Sequence, residues 1–129
     1  MPRTPSSQPT EVELQILSIL WKQGTSTARQ IHNQLAEVRD TNYSTTVKML
    51  SVMLEKDLVR RDESVRPQLF RPAATQERTQ RRMLKELIQK VYDGSTGSLV
   101  LQALASQKTS PEELDEIRRM LDESGGQRK

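Results

Sequence analysis

The chain has 129 residues, of which 33% are hydrophobic and 29% charged, with a formal charge of +3 and no cysteine; that is room for one domain, or for a small domain with an attachment. Without cysteine there are no disulfides, thiol nucleophiles, iron–sulfur clusters or cysteine-based zinc sites, and aromatics at 3% are too few for an RNA-binding sheet built on stacked rings. The pI is about 9.4, but so small a basic excess says little until the cations are placed along the chain.

Residues 1–9, "MPRTPSSQP", have no apolar core; they do not read as a signal peptide and are expected to form a flexible arm. From Thr10 the pattern turns helical. Thr10 and Glu13 fit a T-x-x-E capping box, Leu14, Ile16, Leu17, Leu20 and Trp21 recur at helical spacing, and Gly24 is placed to end the helix. "STARQIHNQLAEV" fits a second helix, with Ser26 or Thr27 as N-cap and Ala28, Ile31 and Leu35 on one face. His32, the lone histidine, falls on the polar side of that helix and reads as a surface residue; with no cysteine or second histidine beside it, it makes no metal site. A third helix is predicted over 44–56, with Ser44 as N-cap, Val47, Leu50 and Leu54 turned inward, and Met49 and Val52 on the exposed side, where packing is favoured over contact with a thymine methyl as their role. After it, "LVRRDE" and "QLFRP" read as short strands joined by the turn "SVRP", where Pro67 and Pro72 disfavour helix. A further short strand fits around Thr25, between the first two helices.

Helix, helix, helix, hairpin is the order of a winged helix-turn-helix, predicted here over residues 10–73 in a fold that is mainly α with a small β-hairpin wing. Residues 74–123 are predicted to be helical. Thr75 caps a stripe of Leu84, Leu87, Ile88 and Val91, "DGSTG" breaks it, and 98–105 form a short apolar helix. The last helix opens with Ser110 as cap, Pro111 at its first position and Glu113 closing a capping box, and its face is Leu114, Ile117 and Leu121. Residues 124–129 read as a flexible tail. Three short helices are near the lower limit for burying a core of their own, yet Leu99, Val100, Leu101 and Leu104 are densely apolar. Burial against a second copy of the segment resolves this, and a two-fold homodimer is expected.

The chemistry concentrates at the third helix. A helix entering the major groove needs short side chains near its start so that the backbone can come close. Ser44, Thr45 and Thr46 meet that need, and their hydroxyls can donate to phosphates or bases. Lys48 lies one turn on, Arg60, Arg61 and Arg66 lie on the hairpin, and Thr27 and Arg29 open the preceding helix, where a backbone clamp is expected. With Tyr43, these ten residues form the expected contact set for double-stranded DNA. The competing readings are plain: Ser44 as a cap, Lys48 as a solvated lysine, and Arg60 and Arg61 as a solvated strand face paired with Asp62 and Glu63. A winged-helix module that binds protein and not DNA is the rival function, although so polar a face, with few exposed aromatics, argues against it. No nucleophile elbow, phosphate loop or metal-ligand cluster is present. No enzymatic activity and no cofactor are expected; the carboxylates Glu112, Glu113, Asp115 and Glu116 suit the dipole of the last helix.

Four segments in order, "ELQILSILWKQGTSTARQIHNQL", "YSTTVKMLSVMLEKDLVRRDESVRPQLFRP", "GSLVLQAL" and "SPEELDEIRRMLDE", resemble the penicillinase-repressor family of bacterial transcription regulators, the BlaI/MecI/CopY type, over residues 10–123. The resemblance implies an N-terminal winged helix-turn-helix and a C-terminal helical dimerisation region. It also implies a palindromic operator with TACA/TGTA half-sites, repression of transcription, and a cytoplasmic protein on the bacterial nucleoid. It places Thr45 at the position that meets DNA and Lys48 where many members have lysine. Antibiotic-resistance members are released when a membrane-bound sensor metalloprotease cuts an Asn–Phe bond; Gln102 and Ala103 stand there in this chain. Copper-responsive members use a C-terminal cysteine cluster, which this chain lacks. Asp57 replaces a common glycine. No membrane insertion is expected, since no apolar run approaches the ~18 residues of a span.

Overall fold

The computed structural model describes residues 8–127, with side chains through Ser124. Of the expected arm, Gln8 and Pro9 fall among them; residues 1–7, and 128–129 of the expected tail, lie outside the described residues. Six helices and three short strands are present among the described residues, in a mostly helical fold with a small antiparallel sheet. Two compact units divide between Met83 and Leu84.

The first unit is a winged helix-turn-helix. α1 (Glu11–Gln23) starts on the expected capping box: Thr10 Oγ1 accepts from the Glu13 backbone N–H, and Glu13 accepts from that of Thr10 at 2.9 Å. It ends on Gly24, whose φ of 86° any side chain would strain. β1 (Ser26–Thr27) follows, close to the expected place, and Thr27 then caps α2 (Ala28–Val38) in a second reciprocal box with Gln30. α3 (Tyr43–Glu55) leads into the hairpin of β2 (Val59–Asp62) and β3 (Leu69–Pro72). The sheet order is β1-β3-β2, antiparallel throughout, so β1 pairs with the second strand of the wing, which lies at the centre of the sheet, and ties the wing to the helices.

The core lies where these elements meet. Ile16, Leu17 and Leu20 come from α1, Ile31 and Leu35 from α2, Leu50 and Met53 from α3, and Leu58, Val59 and Phe70 from the base of the wing. Each fully buried side chain of this size contributes roughly 1.5–3 kcal/mol relative to exposure. Trp21 at the end of α1 donates its indole N–H to the Ala74 carbonyl at 3.0 Å, which ties in the approach to α4 (Gln76–Val91).

α3 turns into the hairpin through a left-handed residue. The Asp57 N–H bonds to the Leu54 carbonyl and the Leu58 N–H to that of Met53, with Asp57 at φ 61°. This is the helix-ending pattern that glycine favours, met here by aspartate, one of the few other residues to tolerate that region.

Two sequence expectations for α3 are corrected. The helix starts at Tyr43 with Asn42 as N-cap, not at Ser44: Asn42 Oδ1 accepts from the Thr45 N–H at 2.9 Å. Its fully buried stripe is Thr46, Leu50 and Met53; Val47, expected inward, is 40% exposed, while Leu54 packs against the core as expected. Met49 packs against the core, the role favoured for it, and Val52 is half-buried. The stripe is rotated because positions 46, 50 and 53 share one face at i, i+4 and i+7, which leaves 47 about 100° away.

The second unit comprises the rest of α4, α5 (Thr96–Ser106) and α6 (Pro111–Gln127). α5 starts two residues before the expected Ser98, on a Ser95 cap. α6 has the expected Ser110–Glu113 box and runs on through 124–127, part of the expected tail. Tyr92 donates its hydroxyl to Gln102 Oε1 at 3.0 Å. No residue of α5 is buried. Leu84, Leu87, Val91, Leu101, Leu104, Met120 and Leu121 are exposed, while Ile88, Leu99, Val100, Leu114 and Ile117 are half-buried. Among the described residues no helix is long and apolar enough to cross a membrane.

Candidate nucleic-acid interface

Asn42 organises the start of α3. Besides capping Thr45, its Oδ1 accepts the Ser44 hydroxyl at 2.9 Å. Ser44 therefore spends its proton on the cap and presents only oxygen lone pairs to solvent. Thr45 is exposed, and its hydroxyl has no partner among the described residues. Lys48, four residues after Ser44, is exposed on the next turn. Tyr43, Ser44, Thr45, Val47 and Lys48 thus make an open polar end with one small apolar side chain.

Thr46 does not belong to that surface. It is fully buried, and its Oγ1 lies 2.8 Å from His32 Nδ1 and 3.4 Å from the Asn42 carbonyl. The sequence reading of Thr46 as a DNA contact is corrected: it faces α2, being one turn ahead of buried Leu50. The reading of His32 as a plain surface residue is corrected with it. His32 is half-buried and meets the Tyr43 ring at 5.7 Å with the planes 85° apart.

α2 brings two more expected residues to this end. Thr27 is half-buried at the helix start and committed to its capping box. Arg29 is exposed, and its guanidinium carbon lies 3.9 Å from the Tyr43 ring centroid, a cation–π contact.

The wing separates the two arginines that the sequence groups together. Along a strand successive side chains alternate between faces. Arg61 shares a face with buried Val59 and pairs with Phe70, while Arg60 points to the other face and pairs with Arg71. Arg61 and Arg66 line a cleft of about 330 Å3 between the start of α2, α3 and the hairpin, with Arg29 at its edge and Val47, Leu50 and Phe70 beneath. Arg61 also pairs with Glu63 at 3.3 Å, both exposed. Asp62, on the outer face, has its carboxyl held below the ordinary aspartate range, by the Ser64 hydroxyl first, then by the Ser64 N–H, and by nearby Arg71.

Arg71 and Asn42 were missed by sequence reasoning, and both had a signal. The four-residue turn over 64–67 already implies the register that sets Arg60 against Arg71. Asparagine is at least as strong an N-cap as serine and stands three residues before Thr45, the spacing a capping carbonyl needs.

Away from this end, Glu13 is buried and pairs with Lys56 at 2.7 Å, joining the start of α1 to the end of α3. Burial pushes its carboxyl up, but the Lys56 ammonium and the Thr10 N–H and hydroxyl outweigh that, and it lies below the ordinary glutamate range. Among the described residues no group of three His, Cys, Asp or Glu side chains is placed to hold a metal.

Comparison with known proteins agrees with this arrangement. The family model described as penicillinase repressor matches residues 9–123. The chain is 20% identical over 122 residues to the penicillinase repressor of Bacillus licheniformis, covering 95% of each chain. It is 22% identical over 112 residues to the methicillin resistance regulatory protein MecI of Mammaliicoccus sciuri, covering 87% of this chain and 91% of that one. A match over so much of its length, on a winged helix-turn-helix, makes this chain a member of the penicillinase-repressor family of transcriptional repressors.

Proposed function

We propose that two copies of the chain bind an inverted-repeat operator and block transcription from it. Each copy lays the open end of α3 in the major groove, with Thr45 close to base edges or phosphates, Ser44 accepting from a base edge and Lys48 on a phosphate or guanine. Arg29, Arg61 and Arg66 hold the adjacent backbone, and the outer wing pair Arg60 and Arg71 adds charge beside it. The observation that carries the reading is the exposed, carboxylate-free start of α3, framed by cations from two other elements.

The second copy is supported by the exposed apolar residues of the C-terminal unit. Leu84, Leu87, Val91, Leu101, Leu104 and Leu121 are open in a single copy, and with Ile88, Leu99, Val100, Leu114 and Ile117 they supply the apolar area a dimer core needs. A two-fold dimer reads two half-sites about one helical turn apart or a multiple of it, and TACA/TGTA is the half-site the family resemblance suggests. Release by a membrane sensor protease has the family resemblance as its support. The Gln102–Ala103 bond lies inside α5, so scission there requires that helix to unwind and the Tyr92–Gln102 bond to break.

Fluorescence anisotropy on an inverted TACA/TGTA duplex and a scrambled one, over a range of salt, tests the proposal. Preference for the repeat, with affinity falling steeply as salt rises, is expected. Equal, nearly salt-independent binding to both would favour the protein-interaction module.

A further inference from the structure

We infer that His32 is a positioning residue for DNA binding: it orders Tyr43, and through Tyr43 it holds Arg29 in place before DNA arrives. The inference rests on the proposed function and assigns a role to a side chain outside the contact set.

His32 reaches from α2 to the first turn of α3. Its Nδ1 is 2.8 Å from the hydroxyl of fully buried Thr46, which also lies 3.4 Å from the carbonyl of the cap residue Asn42. The imidazole is thereby fixed against the start of the recognition helix. Its ring in turn meets Tyr43 nearly at right angles, the favoured geometry for two such rings. Arg29 lies on the same side of α2 as His32, three residues earlier, and its guanidinium sits over the Tyr43 ring at 3.9 Å. The result is a stack of alternating origin: imidazole from α2, phenol from α3, guanidinium from α2. Only its last member carries permanent charge, and that member is exposed at the edge of the cleft that Arg61 and Arg66 line.

A free arginine must lose its rotamer freedom when it grips a phosphate; one already stacked has lost it. Removing the stack should weaken DNA binding about three- to ten-fold, the cost of immobilising one flexible side chain. Arg29 would still reach its phosphate, so the salt dependence should stay as it was.

The test is a double-mutant cycle on the full-length protein. His32→Ala should weaken binding to repeat and scrambled duplexes alike without changing the salt slope, whereas Arg29→Ala should lower the slope by about 1. The double variant should bind no worse than Arg29→Ala alone, because His32 acts only through Arg29. Additive losses, or wild-type affinity in His32→Ala, would overturn the inference. His32→Asn keeps a polar atom for Thr46 but removes the ring; it should show the same loss and serves if the alanine variant does not fold. A second readout needs no DNA: in the free protein the Tyr43 ring should shift the Arg29 side-chain proton resonances upfield, and His32→Asn should abolish that shift. An unchanged shift overturns the positioning role. Wild type that binds neither duplex while the shift behaves as expected overturns instead the DNA-binding reading beneath it.

Discussion

Arg60 and Arg71 stand directly opposite each other in the hairpin ladder, two cations in register on the outer face of the wing. Like charges so placed destabilise a strand pair by roughly 0.2–1 kcal/mol, with Asp62 nearby as partial relief. Arg71→Thr should therefore stabilise the fold by up to about 1 kcal/mol at low salt and at the same time weaken DNA binding. Urea denaturation set beside anisotropy measures both; a variant that gains stability and binds as before removes the wing pair from the interface.

Lys48 and Thr45 are exposed on successive turns of α3, so their removal should leave stability within about 0.5 kcal/mol of wild type. Lys48→Ala should weaken binding to repeat and scrambled duplexes and lower the salt slope by about 1 if it meets a phosphate. Thr45→Ala should reduce the preference for the repeat. Salt titrations with both duplexes separate the two effects.

Capping separates Asn42 from Ser44. Asn42→Ala removes the acceptor for the Thr45 N–H and should cost about 0.5–2 kcal/mol in chemical denaturation. Ser44→Ala removes only an exposed donor to that same oxygen and should cost a few tenths of a kcal/mol at most, roughly the effect of an ordinary surface change. A larger loss at Ser44 than at Asn42 would return the cap to Ser44.

Burial makes the Glu13–Lys56 pair sensitive to loss of either partner. Lys56→Met strands a buried carboxylate and should cost about 3 kcal/mol, within the range for breaking such pairs. Glu13→Gln keeps the cap and should cost about 1 kcal/mol. The folded carboxyl lies below its ordinary value of 4.5. Its contribution is thus complete above that pH and fades as the pH falls through the lower folded value. Denaturation midpoints should then drop more steeply below pH 4.5 in wild type than in Glu13→Gln.

Leu101 is 71% exposed on α5 and Leu121 61% exposed on α6. Leu101→Glu with Leu121→Glu places charge on the face proposed to meet a second copy. Sedimentation equilibrium at micromolar concentration should show the wild type as a dimer and this variant as a monomer. The first unit, whose core contains neither residue, should remain folded.

Much of the winged helix could be read from the sequence because its signals are local. Thr10 and Glu13 mark the start of α1, Gly24 its end, and the "SVRP" turn with Pro67 and Pro72 the hairpin. The inward face of α3 was less legible. A one-residue choice of stripe, Val47 against Thr46, decides which side chains stand open at the start of α3, and both choices satisfy helical periodicity. Threonine at 46 looks like a contact residue in sequence; its phase with Leu50 and Met53 turns it inward, and His32 from another helix gives its buried hydroxyl a partner. Composition likewise hides that Arg60 and Arg61, adjacent in the chain, point apart.

The absence of any buried residue in α5 bears on how such a regulator ages in a cell. If its C-terminal helices are sheltered only by pairing, folding and assembly of that unit are one equilibrium, and its melting temperature rises with the amount of protein. Dilution by growth would then do more than empty the operator. Unpaired copies would offer their open helices to proteases, and the decline in repressor would hasten itself.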